Sequence, residues 1–257
     1  MTPLLHAWLR RLAASPMADE WVVRGGLVTC HDVPKRAAPE DIDLVGRGDF
    51  DAARAADELA RVTATAPALA DGVRFDAETM TTEVIWGDTP FPGLRAHVPV
   101  VDPNGHAAQV RIDLGYGDPL DPGPRRLSIG GADVLAVSTE TMIAWKVHGL
   151  VEHGRGRWRA KDLADAVLLL RLPTLDLDAL TRATRLAFES RGAALDELVP
   201  LLADPTWGGS RGSRRKWRVL LARRSPGLDA DLFVARDELR RLFASTARAV
   251  GLPIGPE

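Results

Sequence analysis

Two glycines and two aspartates stand out for what they could do together. Gly25 and Gly26 follow the apolar stretch Trp21-Val22-Val23, and Asp41-Ile42-Asp43 comes after them, leading into Leu44-Val45. A glycine pair at a strand-to-helix turn lets backbone amides approach a phosphate with no side chain in the way. Carboxylates at i and i+2 of a strand point to the same face. Such a pair suits a divalent cation carrying nucleotide phosphates, and the two features together suggest nucleotidyl transfer. Three further Asp-x-Asp pairs, Asp49/Asp51, Asp176/Asp178 and Asp229/Asp231, sit at the edges of Ala/Leu/Arg-rich helical patterns. Helix capping accounts for those.

Asp113 is the candidate third carboxylate. It lies on the polar side of a strand whose Val110, Ile112 and Leu114 alternate with Arg111 and Asp113. It would complete the cation's ligand set or act as a general base. The other reading is an ion pair with Arg111. Lys146 flanks the apolar stripe Met142, Ile143, Val147, Leu150 and Val151. A lysine there must snorkel to solvent, pair with an acid, or face an anion such as a triphosphate. Asp162 and Asp165 share one face of the next helix, where the macrodipole alone would favour Asp162.

Two basic clusters suit a phosphate backbone: Arg155, Arg157 and Arg159 around Trp158, and Arg211 to Arg224 around Trp217, which includes Arg214, Arg215 and Lys216. A tryptophan among these cations would stack on a base. The alternative is a solvated helix face. No His-x-Glu, Cys-x-x-Cys or Gly-x-Ser-x-Gly arrangement occurs, which argues against zinc and serine-hydrolase chemistry.

These residues need a scaffold, and its elements are legible in outline. Leu4–Ala14 reads as an amphipathic helix, not a secretion signal. Strand patterns cover Trp21–Arg24, Asp41–Val45, Val73–Phe75, Thr82–Trp86, Leu94–Val101 and Ala107–Leu114, with helices at Gly26–Asp32 and Phe50–Thr63. After residue 138 the pattern is helical: a helix to Glu152 capped at Ser138/Thr139, then Ala160–Leu170, Leu177–Arg191, Ala194–Leu202, Arg214–Arg223 and Ala230–Val250. The fold class expected is α/β (α+β), with a small mixed-sheet core over residues 1–135 and a helical region over 136–257 that completes the active site and carries a basic surface. The 257-residue chain carries 14 basic and 21 acidic residues up to residue 150, and 19 basic and 14 acidic after it. An acidic half beside a basic half fits a cation site next to a polyanion-binding surface. The single cysteine, Cys30, is expected in the core of a protein from a reducing cytoplasm. No apolar run is long enough for a membrane span.

Taken in order, these motifs resemble the AbiEii/AbiGii nucleotidyltransferase toxin family of the DNA polymerase β-like superfamily. The residues that carry the resemblance are Val22-Val23-Arg24-Gly25-Gly26, Arg36, Asp41-Ile42-Asp43-Leu44, Arg111–Asp118, Glu140–His148 and Arg159–Asp165. The chain departs from the family's usual pattern at Leu27-Val28-Thr29, at Pro39-Glu40 and at Trp145. The resemblance implies a triphosphate held by Gly25, Gly26 and Arg36, and magnesium (or manganese) on Asp41 and Asp43. It further implies contact of Lys146 with nucleotide phosphates, and Asp162 as the late acidic position of the active site. The expected function is the toxin of a toxin–antitoxin pair that transfers a nucleotide from an NTP to an RNA, in particular a tRNA 3′ end. Nucleotidylation of a protein hydroxyl and a non-catalytic nucleotide-binding module are the alternatives. The expected partners are an NTP, an RNA acceptor and an antitoxin protein, in the cytoplasm and without a membrane.

Overall fold

The computed structural model describes residues 2–152, 158–224 and 227–253. It is a mixed α/β protein with an eight-stranded sheet and a helical C-terminal part. The chain divides into two compact units. The first comprises residues up to His31, Ala38–Asp118 and Pro124–Val137; the second comprises Asp32–Ala37, Pro119–Gly123 and the chain from Ser138 onward. The chain passes from the first unit to the second at Val137/Ser138. The two short segments that join the second unit, including Arg36, carry no composition signal of their own.

In the first unit, helix α1 (Thr2–Ala13) leads to strand β1 (Trp21–Arg24), helix α2 (Gly26–Asp32), strand β2 (Asp41–Gly46) and helix α3 (Ala52–Ala64). Strands β3 (Arg74–Phe75), β4 (Thr81–Ile85), β5 (Gly93–Val101), β6 (Ala107–Tyr116), β7 (Arg125–Ile129) and β8 (Ala132–Ala136) follow. The sheet order is β3-β5-β6-β2-β1-β8-β7, with β4 also on β5. Strand β2 runs parallel to β6 and antiparallel to β1, while β1 runs parallel to β8. Period-two alternation separates the faces: Ile42, Leu44, Ala96, Val98, Ile112 and Leu114 are fully buried. Helix α1 packs against β8 and α3, and α3 against β5. The Trp8 indole N–H donates to Thr63 Oγ1 at 3.1 Å, so the largest side chain of α1 is buried with its polar atom satisfied.

Turn chemistry sets two hairpin registers. In β5–β6 the Asp102 carboxylate accepts from the amides of Asn104 and His106, and Gly105 takes φ 86°. The β7–β8 hairpin turns on Gly130-Gly131, both at positive φ, the requirement of a two-residue I′ turn. The sequence reading omitted this hairpin because β7 and β8 are short and rich in charge and alanine. Asp51, Asp176 and Asp231 cap their helices by accepting from Arg54, Ala179 and Phe233 amides respectively.

The second unit contains α4 (Thr139–Glu152), α5 (Ala160–Leu170), α6 (Leu177–Glu189), α7 (Val199–Ala203), α8 (Arg211–Arg224) and α9 (Leu232–Ala249). Ser138 caps α4 by accepting from the Thr141 amide at 3.1 Å. Helix α4 packs on α5 and α6, and α9 packs on the same two. Nine consecutive residues of α5, Asp162–Leu170, are buried, which explains its nearly unbroken apolar sequence. The Ala194–Leu202 helix expected from sequence is instead a 3-10 turn, Leu195–Leu198, followed by α7. Proline at position 200 is tolerated there because it falls in the first turn of α7. Cys30 is partly exposed on α2 rather than buried. No described helix is long and apolar enough to cross a membrane.

Candidate active site

The polar face of the first unit's sheet gathers the carboxylates singled out from sequence. The parallel β2–β6 ladder pairs Asp43 with Asp113 and Asp41 with Arg111. The antiparallel neighbours extend the same row, with Arg24 opposite Asp43 on one side and Arg95 opposite Asp113 on the other. Asp41, Asp43 and Asp113 therefore share one face on adjacent strands, as their alternation requires.

Each acid has a different environment. Arg95 donates to Asp113 through Nε and Nη2, both at 2.8 Å, in a fork that engages both carboxylate oxygens. Hydrogen bonding to Asp113 holds the Arg95 guanidinium above its ordinary pKa, with the Asp113, Glu83 and Asp43 charges adding to it. Asp41 is ion-paired with Arg111, while the Nε of Arg111 stays 4.0 Å from Asp113. The close, hydrogen-bonded partner of Asp113 is thus Arg95, with Arg111 a more distant second cation. Asp43 makes no hydrogen bond or ion pair among the described residues. Its Oδ2 faces the backbone of Gly25, where a Cβ would lie only 2.1 Å from it. Gly25 also has φ 71°, so glycine is required twice over, by conformation and by space.

The donor set fits a hard cation, because all three groups are carboxylates. It does not form a closed protein cage: among the described residues no cluster of three His, Cys, Asp or Glu is arranged to hold an ion. That combination suits magnesium, which binds one or two carboxylates and takes its other ligands from water and substrate phosphates.

Sequence reasoning missed the residues that frame this row. Arg24 donates to Asp118 at 2.7 Å and lies under the Trp86 indole, 5.8 Å from the ring centroid. Trp86 is 42% exposed and adopts φ 56°, unusual for a bulky residue. No motif signals such a residue, but the register of β5 against β6 is readable from their turn. Counting back equally from Asp102 and His106 places Arg95 opposite Asp113.

The second unit holds the other predicted residues. Lys146 on α4 contacts Asp162 Oδ1 at 3.0 Å and Asp165 Oδ2 at 3.2 Å. Arg36 grips Asp165 with Nε at 3.1 Å and Nη2 at 3.2 Å. Arg159 places Nε 2.8 Å from Asp162 Oδ2, but without hydrogen-bond alignment, and that buried oxygen accepts no hydrogen bond. Burial alone would lower the Lys146 pKa and raise that of Asp165. The paired charges outweigh it, so the lysine lies above its ordinary value and Asp165 below. Lys146 therefore neither snorkels nor stands free; it belongs to a nearly buried charge cluster with Arg36, Asp162 and Asp165.

Two expectations are corrected here. Trp158 and Trp217 do not present stacking surfaces: both are buried, donating to Ser213 Oγ and the Asp229 carbonyl, each at 3.1 Å. Trp217 lies on the core-facing side of its helix, and Trp158, just before α5, packs against Trp207 at 5.4 Å between ring centroids. Of the basic residues proposed for nucleic-acid contact, Arg155 and Arg157 lie outside the described residues. Arg159, Arg214, Arg215 and Lys216 are exposed.

A family model described as "Nucleotidyl transferase AbiEii toxin, Type IV TA system" matches residues 7–245. Among solved structures, JHP933 from Helicobacter pylori is similar at 16% identity and a TM-score of 0.59, over 96% of this chain and 90% of that one. An antigenic nucleotidyltransferase-like protein from Paracoccidioides brasiliensis aligns at 17% identity and a TM-score of 0.42, over 74% and 87%. No curated protein matches the sequence.

Proposed function

The chain belongs to the AbiEii nucleotidyl transferase toxin family of type IV toxin–antitoxin systems, and from that premise we propose a magnesium-dependent transfer of one nucleotide from an NTP to the 3′ end of an RNA, with tRNA as the acceptor. As a nucleotidyltransferase toxin it uses an NTP and has an antitoxin counterpart. The observation that carries the reading is Asp43: a carboxylate with no hydrogen bond or ion pair among the described residues, in register with Asp113 and set against the glycine turn.

The acceptor hydroxyl oxygen forms a bond to the α-phosphorus, the bond to the bridging oxygen of the β-phosphate breaks, and pyrophosphate leaves with the nucleotide's former link. The acceptor proton passes to water. A divalent cation on Asp41 and Asp43 would neutralise the triphosphate and stabilise charge in the transition state. Backbone amides at Gly25 and Gly26 approach the phosphates at a point where no Cβ intrudes. Asp113, with both oxygens engaged by Arg95, adds negative charge to the row and orients Arg95. Lys146 and Arg36 supply positive charge for the phosphates, with Asp162 and Asp165 fixing where that charge sits.

The test is to offer each α-labelled nucleoside triphosphate in turn to separate pools of total RNA and total protein with magnesium. Label in RNA alone supports the proposal. Label in protein alone would move the acceptor to a protein hydroxyl, and label in neither would leave only a binding module.

A further inference from the structure

Helix α8 carries a basic surface that neither the fold nor the transfer chemistry uses. We propose that this face is the docking site for the RNA strand, gripping successive phosphates with Arg211, Arg214, Arg215 and Arg218 and seating one base in the neighbouring apolar pocket. The inference rests on RNA being the acceptor.

The charges are not there to stabilise the helix. Arg211 and Arg214 occupy the first turn, which holds no acid, although a helix N-terminus favours anions. Arg211/Arg215 and Arg214/Arg218 are like-charged i, i+4 pairs, each unfavourable by a few tenths of a kcal/mol. Elsewhere arginines find carboxylates: Arg24 with Asp118, Arg36 with Asp165, Arg95 with Asp113, Arg171 with Glu238. The side chains of the four on α8 make no hydrogen bond or ion pair among the described residues. A polyanion would relieve this repulsion and satisfy the guanidinium donors.

Shape points to the occupant. The four arginines line an open cleft of about 680 Å³, bordered by Asp231, Leu232 and Phe233 at the start of α9. Its acid, Asp231, is committed to capping α9 through the Phe233 amide. On the adjoining face of α8 lies a second cavity of about 360 Å³, lined by Ala160, Val219 and Leu220 and rimmed by Lys161, Arg215, Lys216 and Arg223. Val219 is 46% exposed there, an apolar floor open to solvent. Arg215 lines both cavities. An apolar seat beside a cationic one, joined by a shared arginine, matches a chain that alternates base and phosphate. From Arg211 to Arg223 the cations extend along roughly 18 Å of helix, more than a single triphosphate spans. The carboxylates of an acidic protein segment would satisfy the arginines but would leave the apolar seat empty.

The test measures binding with no triphosphate and with EDTA, so that transfer plays no part. A fluorescein-labelled single-stranded RNA of twelve nucleotides is titrated with the full chain and with Arg211→Gln/Arg214→Gln/Arg218→Gln, at several salt concentrations. These side chains are exposed and unpaired, so the variant should fold; an unchanged circular dichroism melt checks it. The expected result is at least a tenfold weaker affinity at low salt, with the log–log salt slope reduced by about 2, since each lost phosphate contact removes about 0.7. Val219→Gln, which adds no charge, is expected to weaken binding with little change of slope. RNA binding unaffected by the triple variant would overturn the docking site while leaving RNA as the acceptor. Poly-L-glutamate binding the wild type at least as tightly as RNA would overturn it in favour of an acidic protein partner. No RNA binding by the wild type would count against both the site and the RNA acceptor.

Discussion

The Asp43 carboxylate occupies the space that a side chain at Gly25 would fill, with Oδ2 2.1 Å from the position of that Cβ. The turn and the acid are therefore one device: glycine is what allows the carboxylate to lie against the strand-to-helix corner. Gly25→Ala must move Asp43 and also hold alanine at φ 71°. A displacement on this scale costs about 100-fold in rate where groups must align, while the backbone strain costs about 1–2 kcal/mol of stability. Label transfer should fall by roughly that factor while the melting curve stays cooperative. Near-normal transfer by the variant would show that Asp43 need not lie against the turn.

Arg95 keeps Asp113 neutralised. Removing the guanidinium strands a carboxylate that is only 4% exposed. The full penalty for breaking a buried pair is about 3–5 kcal/mol, and Arg95's partial exposure reduces it to about 2. Arg95→Met should lower the urea midpoint accordingly, and Arg95→Met/Asp113→Leu should recover most of the loss. Failure of the double variant to recover would mean the pair does more than balance charge.

The cluster in the second unit gives stability a defined pH range. Asp165 has its pKa lowered from 3.8, so its contribution is complete above that value and is lost as pH falls through the depressed folded value. Lys146 has its pKa raised from 10.5, so its contribution is complete below 10.5 and fades as pH rises through the still higher folded value. Between these limits the cluster should contribute a flat plateau. Chemical denaturation from pH 2 to 8 should show an acid limb that Asp165→Asn flattens, together with a lower plateau. An Asp165→Asn variant with the wild-type acid limb would place the titrating group elsewhere.

Lys146 is tied to two acids, so its loss acts on folding as well as chemistry. Lys146→Met should destabilise by about 3 kcal/mol, because Arg36 still partners Asp165 while Asp162 keeps only the poorly aligned Arg159. Lys146→Met/Asp162→Asn should fold more stably than Lys146→Met, yet remain inactive in transfer. Restored transfer in the double variant would confine Lys146 to a structural role.

Much of this was legible in the sequence, for identifiable reasons. Alternation placed Asp41, Asp43 and Asp113 on polar strand faces, and glycine at position 25 marked the turn. Helical spacing paired Asp162 with Asp165. The parallel alignment of Asp43 with Asp113 was not legible, because no turn links β2 to β6 and their register comes only from packing. The Gly130-Gly131 hairpin carried a readable turn signal but lay between strands too short to stand out. The α8 tryptophan was misjudged because basic neighbours suggest a surface, whereas helical phase decides which way an indole points. Arg36 entered by resemblance alone, and its grip on Asp165 needs a segment to join a unit distant in sequence.

The most direct measurement is transfer from an α-labelled triphosphate to RNA by wild-type protein and by Asp43→Ala, each verified as folded. The wild type should label RNA only when magnesium is supplied, and Asp43→Ala should reduce labelling by at least 1,000-fold, the scale on which an electrostatic element of phosphoryl transfer acts. Labelling by Asp43→Ala within a few-fold of wild type would contradict the account.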